Sequence, residues 1–315
     1  MKNFLITVFS VLLGGSVMAQ NSAVLKLNLE KNKLYRLKST TEQTISQTVN
    51  GIQQNVLTNV SYSVSLKMLD MTKDFMVTEV HFDTLITNTN TMGKITAINS
   101  TLDGDIKSSE VGDIMSYIMN RLSSSPVYVK IDYSGKPVEI VNLKMLQDMI
   151  LKDTSLITLT GLTGDAVKKQ VAASIADDNL KRIIELFTWS LPAKEVSKGD
   201  KWELNQQVTS GGMMLDIKTS CRLDEIKGNN AVISAESNIS AAVNAAPIES
   251  SGATVTYDDI QGLSKSAIVI DIKTGLPVTN EVKTHITGNL GVSGPGFSME
   301  IPMDINGESK VSSVR

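Results

Sequence analysis

The stretch Val56-Leu57-Thr58-Asn59-Val60-Ser61-Tyr62-Ser63-Val64-Ser65-Leu66-Lys67-Met68 decides the fold class. Val56, Thr58, Val60, Tyr62, Val64, Leu66 and Met68 share one face, while Asn59, Ser61, Ser63, Ser65 and Lys67 share the other. At about 3.4 Å per residue this run predicts a strand of roughly 44 Å, well beyond the usual five or six residues. Leu34 to Val49 precedes it, and Asn50-Gly51 between the two is a strong hairpin signal. A third strand is expected over Phe75 to Thr87, with Met76, Val80 and Phe82 opposite Glu79, His81 and Asp83. Such one-sided alternation belongs to antiparallel sheet with one wet and one covered face.

Working outward, the middle of the chain changes period. Ile114, Met115, Ile118, Met119 and Leu122 recur at helical spacing, as do Leu143, Leu146, Met149 and Ile150. A third helical region over 165–188 ends before Leu191-Pro192, where proline cannot continue it. Strand patterning then returns and repeats the first half. Asn32-Lys33-Leu34-Tyr35-Arg36-Leu37 corresponds to Gly199-Asp200-Lys201-Trp202-Glu203-Leu204, and Asn50-Gly51 to Ser210-Gly211-Gly212. Val129 to Val138 is echoed by Val269 to Val278, each a strand, a glycine-containing turn, a proline and a second strand. The expected fold is therefore α+β: long antiparallel strands in a curved sheet or open barrel, pseudo-duplicated, with helices between the halves packing on the sheet. Its segments are a signal peptide over 1–19, a β unit over 20–107 and a helical segment over 108–191 with a hairpin near 127–141. A second β unit over 192–315 completes one composite domain.

The chain has 315 residues, 41% hydrophobic and 20% charged, with 30 basic residues against 33 acidic ones. No basic surplus is available to neutralise phosphates, which argues against a nucleic-acid partner. One Cys, two His and 4% aromatics leave little material for nucleophilic, metal or stacking chemistry. The N-terminus combines Lys2, the apolar run Phe4 to Leu13 and small residues before Ala19-Gln20, the pattern of a cleaved secretory signal. The apolar run is too short to span a bilayer, so no transmembrane segment is expected after cleavage. No cysteine follows the signal, so the chain is expected to be exported to the periplasm or beyond without a lipid anchor. Cys221 alternates with Ile217, Thr219 and Leu223 on what reads as the buried face of a strand, where a thiol behaves as a small hydrophobe.

The stretch Ser190-Leu191-Pro192-Ala193-Lys194-Glu195-Val196-Ser197-Lys198-Gly199-Asp200-Lys201-Trp202, with the strand pair around Ile270 to Val278 and an N-terminal Lys-Tyr strand, resembles a family of exported bacterial proteins, domain-of-unknown-function family 6263. The resemblance spans about Leu25 to about Ile305. It implies export and a β-rich fold with helices, and it carries no established activity or catalytic residue. A looser likeness, of architecture alone, is to periplasmic lipoprotein carriers, whose curved sheet holds acyl chains under helices.

No hydrolase elbow, zinc helix, phosphate loop or dinucleotide fingerprint occurs, and no cofactor or metal is implied. Met115/Met119 and Met145/Met149 repeat at helical spacing, and thioethers adapt to variable apolar ligands. The favoured function is a non-enzymatic binding or envelope-associated protein for an apolar small molecule or lipid. Its site is expected between Ile114, Ile118, Met145 and Met149 on the helices and Tyr62, Val64 and Leu66 on the sheet; Trp202 reads first as a buried anchor at the start of its strand and second as a candidate for ligand stacking. Two other readings stay open: a carboxylate-based hydrolase in a cleft between the halves, and an assembly protein docking an envelope partner through its strand edges.

Overall fold

The structure, a computed structural model, describes residues 22–314 apart from 211, 244, 251 and 258. The expected signal peptide over 1–19 lies outside the described residues. The first half runs β1 (Ser22–Leu25), β2 (Leu34–Val49), β3 (Ile52–Met71), β4 (Phe75–Thr91), β5 (Lys94–Asn99), α1 (Val111–Ser123), β6 (Val127–Asp132) and β7 (Pro137–Ile140). Helices α2 (Leu143–Asp153), α3 (Gly161–Ser174) and α4 (Asp177–Thr188) follow. The second half comprises β8 (Lys194–Ser197), β9 (Lys201–Ser210), β10 (Met213–Lys227), β11 (Asn230–Ala241), β12 (Ile248–Ser250), β13 (Ala253–Thr256), β14 (Gln261–Asp271), β15 (Pro277–Gly294) and β16 (Phe297–Val314). The helical region expected over 165–188 is two helices. The second opens on Asp177 and Asp178, whose charges favour a helix N-terminus.

One open antiparallel sheet runs β7-β6-β4-β3-β2-β16-β15-β14-β11-β10-β9. The order β2-β3-β4-β6-β7 in the first half is repeated by β9-β10-β11-β14-β15 in the second, and β16 joins the two by pairing with β2. The repeat differs in one detail from the ungapped sequence match. Asp132 caps the β6–β7 turn by accepting from the backbone N–H groups of Ser134 and Lys136, and Asp271 caps the β14–β15 turn through Lys273 and Thr274. Asp132 thus corresponds to Asp271, and the second turn is one residue longer before its proline. The chain between β1 and β2 ties these turns together: Leu27 N–H donates to Tyr133 O at 2.9 Å and Asn28 N–H to Thr274 O at 2.8 Å.

The main core fills the space between the first-half strands and the helices. Val64, Leu66, Phe82, Ile114, Ile118, Leu146, Val171, Ile184 and Phe187 are fully buried there. Asp153 clamps α1 to α2, accepting from Tyr117 Oη at 3.2 Å and lying 3.3 Å from Arg121 Nε. Burial, and after it the Asp153 carboxylate, raises the Tyr117 pKa above its ordinary value. A second core lies at the base of the second half, where Trp202 packs with Leu191, Val196, Cys221 and Leu223.

Candidate functional site: a lumen in the second half

Successive inward rows of the second-half sheet differ in kind, and their register can be followed strand to strand. The row nearest the turns of the base reads Leu223, Ile233, Ile268, Asn280, Val311 and Ser39. The next is small: Cys221, Ala235, Ser266, Val282, Ser309 and Thr41. A row of hydroxyls and glycine follows, Thr219, Ser237, Ser264, Thr284 and Gly307. The fourth is branched and apolar: Ile217, Ile239, Gly262, Ile286 and Ile305. Side chains this small cannot meet across a curled sheet, and they leave a lumen of about 640 Å³. From the Ile233 row to the Ile239 row it extends roughly 20 Å along the strands, at about 3.4 Å per residue. Beyond it Tyr257 and Ile260, from the connection between β11 and β14, bury themselves against Leu215, Ile239 and Ile305.

Helix α4 forms the remaining wall. Its buried stripe, Leu180, Ile184 and Phe187, faces the main core, while Asn179, Arg182, Glu185 and Leu186 border the lumen. The helix thus divides core from cavity, with one kind of side chain for each. Both β2 and β9 line the same lumen although five strands separate them in the sheet, because the sheet curls around it. The outward positions are mostly polar and charged, with ion pairs Lys310–Glu281, Lys283–Glu308 and Lys265–Glu236 and with Leu263 an apolar exception. A lipid-facing barrel wall would carry an apolar band there, so this face suits water.

Polar groups inside the lumen mostly satisfy one another. Thr219 Oγ1 and Ser237 Oγ are 2.8 Å apart, and Thr284 Oγ1 donates to Ser264 Oγ at 3.0 Å. Asn280 differs: it is 7% exposed, borders the lumen, and its Oδ1 has no hydrogen-bond partner among the described residues. Glu185 Oε1 accepts from Ser190 Oγ and Gln206 Nε2, both at 2.9 Å. It is the one carboxylate among the described lining residues.

A second cavity of about 500 Å³ adjoins the lumen under α1 and α3, lined by Tyr62, Leu85, Ile98, Met115, Met119 and Ile183. The two cavities share Asn179, Arg182 and Thr209. Arg182 is half-buried at this junction; its guanidinium donates to Thr209 O and, at 2.9 Å, to Asn179 Oδ1.

The residues expected to form the site separate. Tyr62 borders the second cavity, but Val64, Leu66, Ile114 and Ile118 are solid core. The lining residues of α1 are Met115 and Met119, one position further round the helix, because Ile114 and Ile118 point into the centre of the packing. Met149 packs at the edge of the core, and Met145 is 56% exposed because the inward stripe of α2 is Leu146 and Ile150. Trp202, 8% exposed, belongs to the base cluster rather than the lumen. The missed features are the small inward residues and Arg182. Ser and Ala alternating with polar residues give no amphipathic signal.

Chemistry elsewhere is sparse. His81 lies 3.1 Å from Glu79 and His285 2.9 Å from Asp304, with β3, β2 and β16 between their strands. Among the described residues no group of three metal-ligating side chains occurs, and no helix is long and apolar enough to cross a membrane. Burial pushes the Cys221 thiol up to about 12.

Residues 73–277 match the family of unknown function DUF6263, well over half of the chain, and the protein belongs to that family. The match is shorter at both ends than the span expected from sequence. No curated protein matches the chain. Among solved structures, an outer membrane channel from Pseudomonas putida F1 is similar at 8% identity and a TM-score of 0.26, over 91% of this chain and 97% of that one. A DUF1329 family protein from Desulfovibrio piger is similar at 10% identity and a TM-score of 0.14, over 86% of this chain and 83% of that one. At these identities and scores neither protein's role transfers to this chain.

Proposed function

We propose that this protein is an exported, non-enzymatic binding protein of the cell envelope that holds a lipid-like ligand in the second-half lumen. The carrying observation is a long cavity of about 640 Å³ that ends on a buried amide oxygen, Asn280 Oδ1, with no hydrogen-bond partner among the described residues. Pockets of this size suit small-molecule ligands, with apolar wall from Leu204, Ile217, Ile239, Val282 and Val311 for a chain and polar groups between them setting orientation. An unmet buried amide costs free energy that a ligand hydroxyl or amide recovers. The ligand is therefore an extended, mainly apolar chain bearing a hydroxyl or amide. The single hydrogen-bonded carboxylate on the wall favours holding over hydrolysis. Export rests on the signal pattern of residues 1–19.

Mass spectrometry of gently purified protein tests the reading. A co-purifying acyl compound, or saturable binding of acyl-chain probes, is expected. A chain that carries none and binds none removes it.

A further inference from the structure

Arg182 brings a positive charge to the place where two cavities meet. Two hydrogen bonds engage its guanidinium, which has five N–H donors. No carboxylate lies within ion-pairing distance of it among the described residues. A half-buried charge with neutral partners alone is poorly compensated, and a planar guanidinium is suited to a phosphate or carboxylate. The cavities on its two sides are alike in size, about 640 and 500 Å³, and aliphatic side chains contribute to both linings. A single chain would occupy one and leave the other open.

We infer that the ligand is a two-chain amphiphile with an anionic head, seated so that the head meets Arg182, one chain enters the lumen and the other enters the cavity beneath α1. This rests on the binding function proposed above and specifies its ligand class. Met115 and Met119 would adapt the second cavity to chains of different shape.

The test is displacement of a fluorescent acyl probe from the exported chain at low salt. The competitors are dioctanoyl phosphatidylglycerol, dioctanoylglycerol, octanoate and inorganic phosphate. The anionic two-chain lipid should compete at a concentration at least about tenfold below that of its neutral counterpart. Arg182→Gln should bring that ratio close to one, and Arg182→Lys should keep most of it. Ser266 lines the lumen and Thr87 the second cavity, so Ser266→Phe and Thr87→Phe should each weaken the two-chain lipid more than they weaken octanoate. Melting curves establish that each variant is folded. Equal competition by charged and neutral lipids, octanoate matching the two-chain lipid, or phosphate alone matching it would overturn the inference while leaving the binding function standing. Failure of every acyl compound to bind would overturn both.

Discussion

Gly275 stands backbone against backbone with Leu27: a methyl group added at Gly275 would lie 2.7 Å from Leu27 Cα and drive into the carbonyl oxygen of Lys26. Gly275 also has φ +74°. The segment it touches stitches the turns of the two repeats, so displacing it loosens both. Gly275→Ala should cost at least about 2 kcal/mol, since left-handed strain and overpacking add. Gly228 provides the comparison, with φ +59° and nothing within 4 Å of an added Cβ. Gly228→Ala should cost about 1 kcal/mol, from backbone strain alone. Urea melts of the two variants check the difference, and equal losses would contradict the stitch.

Asn280 sits in register with Ile268 on one side and Val311 on the other, an amide in an apolar row. Asn280→Leu removes an unmet polar group and should raise the stability of the ligand-free protein by about 1 kcal/mol. The same change should reverse a preference for 12-hydroxystearate over stearate. A variant that is less stable, with its preference unchanged, would show that the amide has no ligand to serve.

Cys221 offers a clean reporter of the base. Its pKa near 12 means that the folded protein at pH 8 holds about one thiolate in ten thousand. Labelling by a disulfide reagent should be negligible in the native state and rapid in urea. The sign of the pH effect follows. The unfolded thiol ionises near its ordinary value of 9.0, whereas the folded one resists to about 12. This group's stabilising contribution is therefore complete below pH 9 and declines from there to pH 12. Fast native labelling at pH 8 would contradict the packing of the base cluster.

The sheet was legible in sequence wherever one face is greasy. Val56 to Met68 falls within β3, and Asn50-Gly51 makes the β2–β3 turn at positive φ. The repeat was legible because a strand, a glycine-containing turn, a proline and a second strand recur; that Asp132 and Asp271 cap the two turns alike emerged only from the structure. The pairing of β16 with β2 was not, since no local pattern records a contact between chain positions so far apart. The lumen was hidden for a different reason. Ser264, Ser266 and Ser309 face inward but read as solvent-facing positions, so a cavity lined by small hydroxyls resembles two wet faces. Helical period located the α1 stripe, yet Ile114 and Met115 differ by one position, and packing against the sheet decides which lines a cavity.

Trp189 tests the central claim most directly, because it borders the lumen while Trp202 lies in the base cluster. The bromines of 9,10-dibromostearate quench tryptophan at contact, so they report where a chain lies. In Trp202→Phe protein, where Trp189 is the remaining tryptophan, titration should give saturable quenching. In Trp189→Phe protein the emission of Trp202 should stay unchanged. Equal quenching in both variants, or none in either, would contradict a ligand held in the lumen.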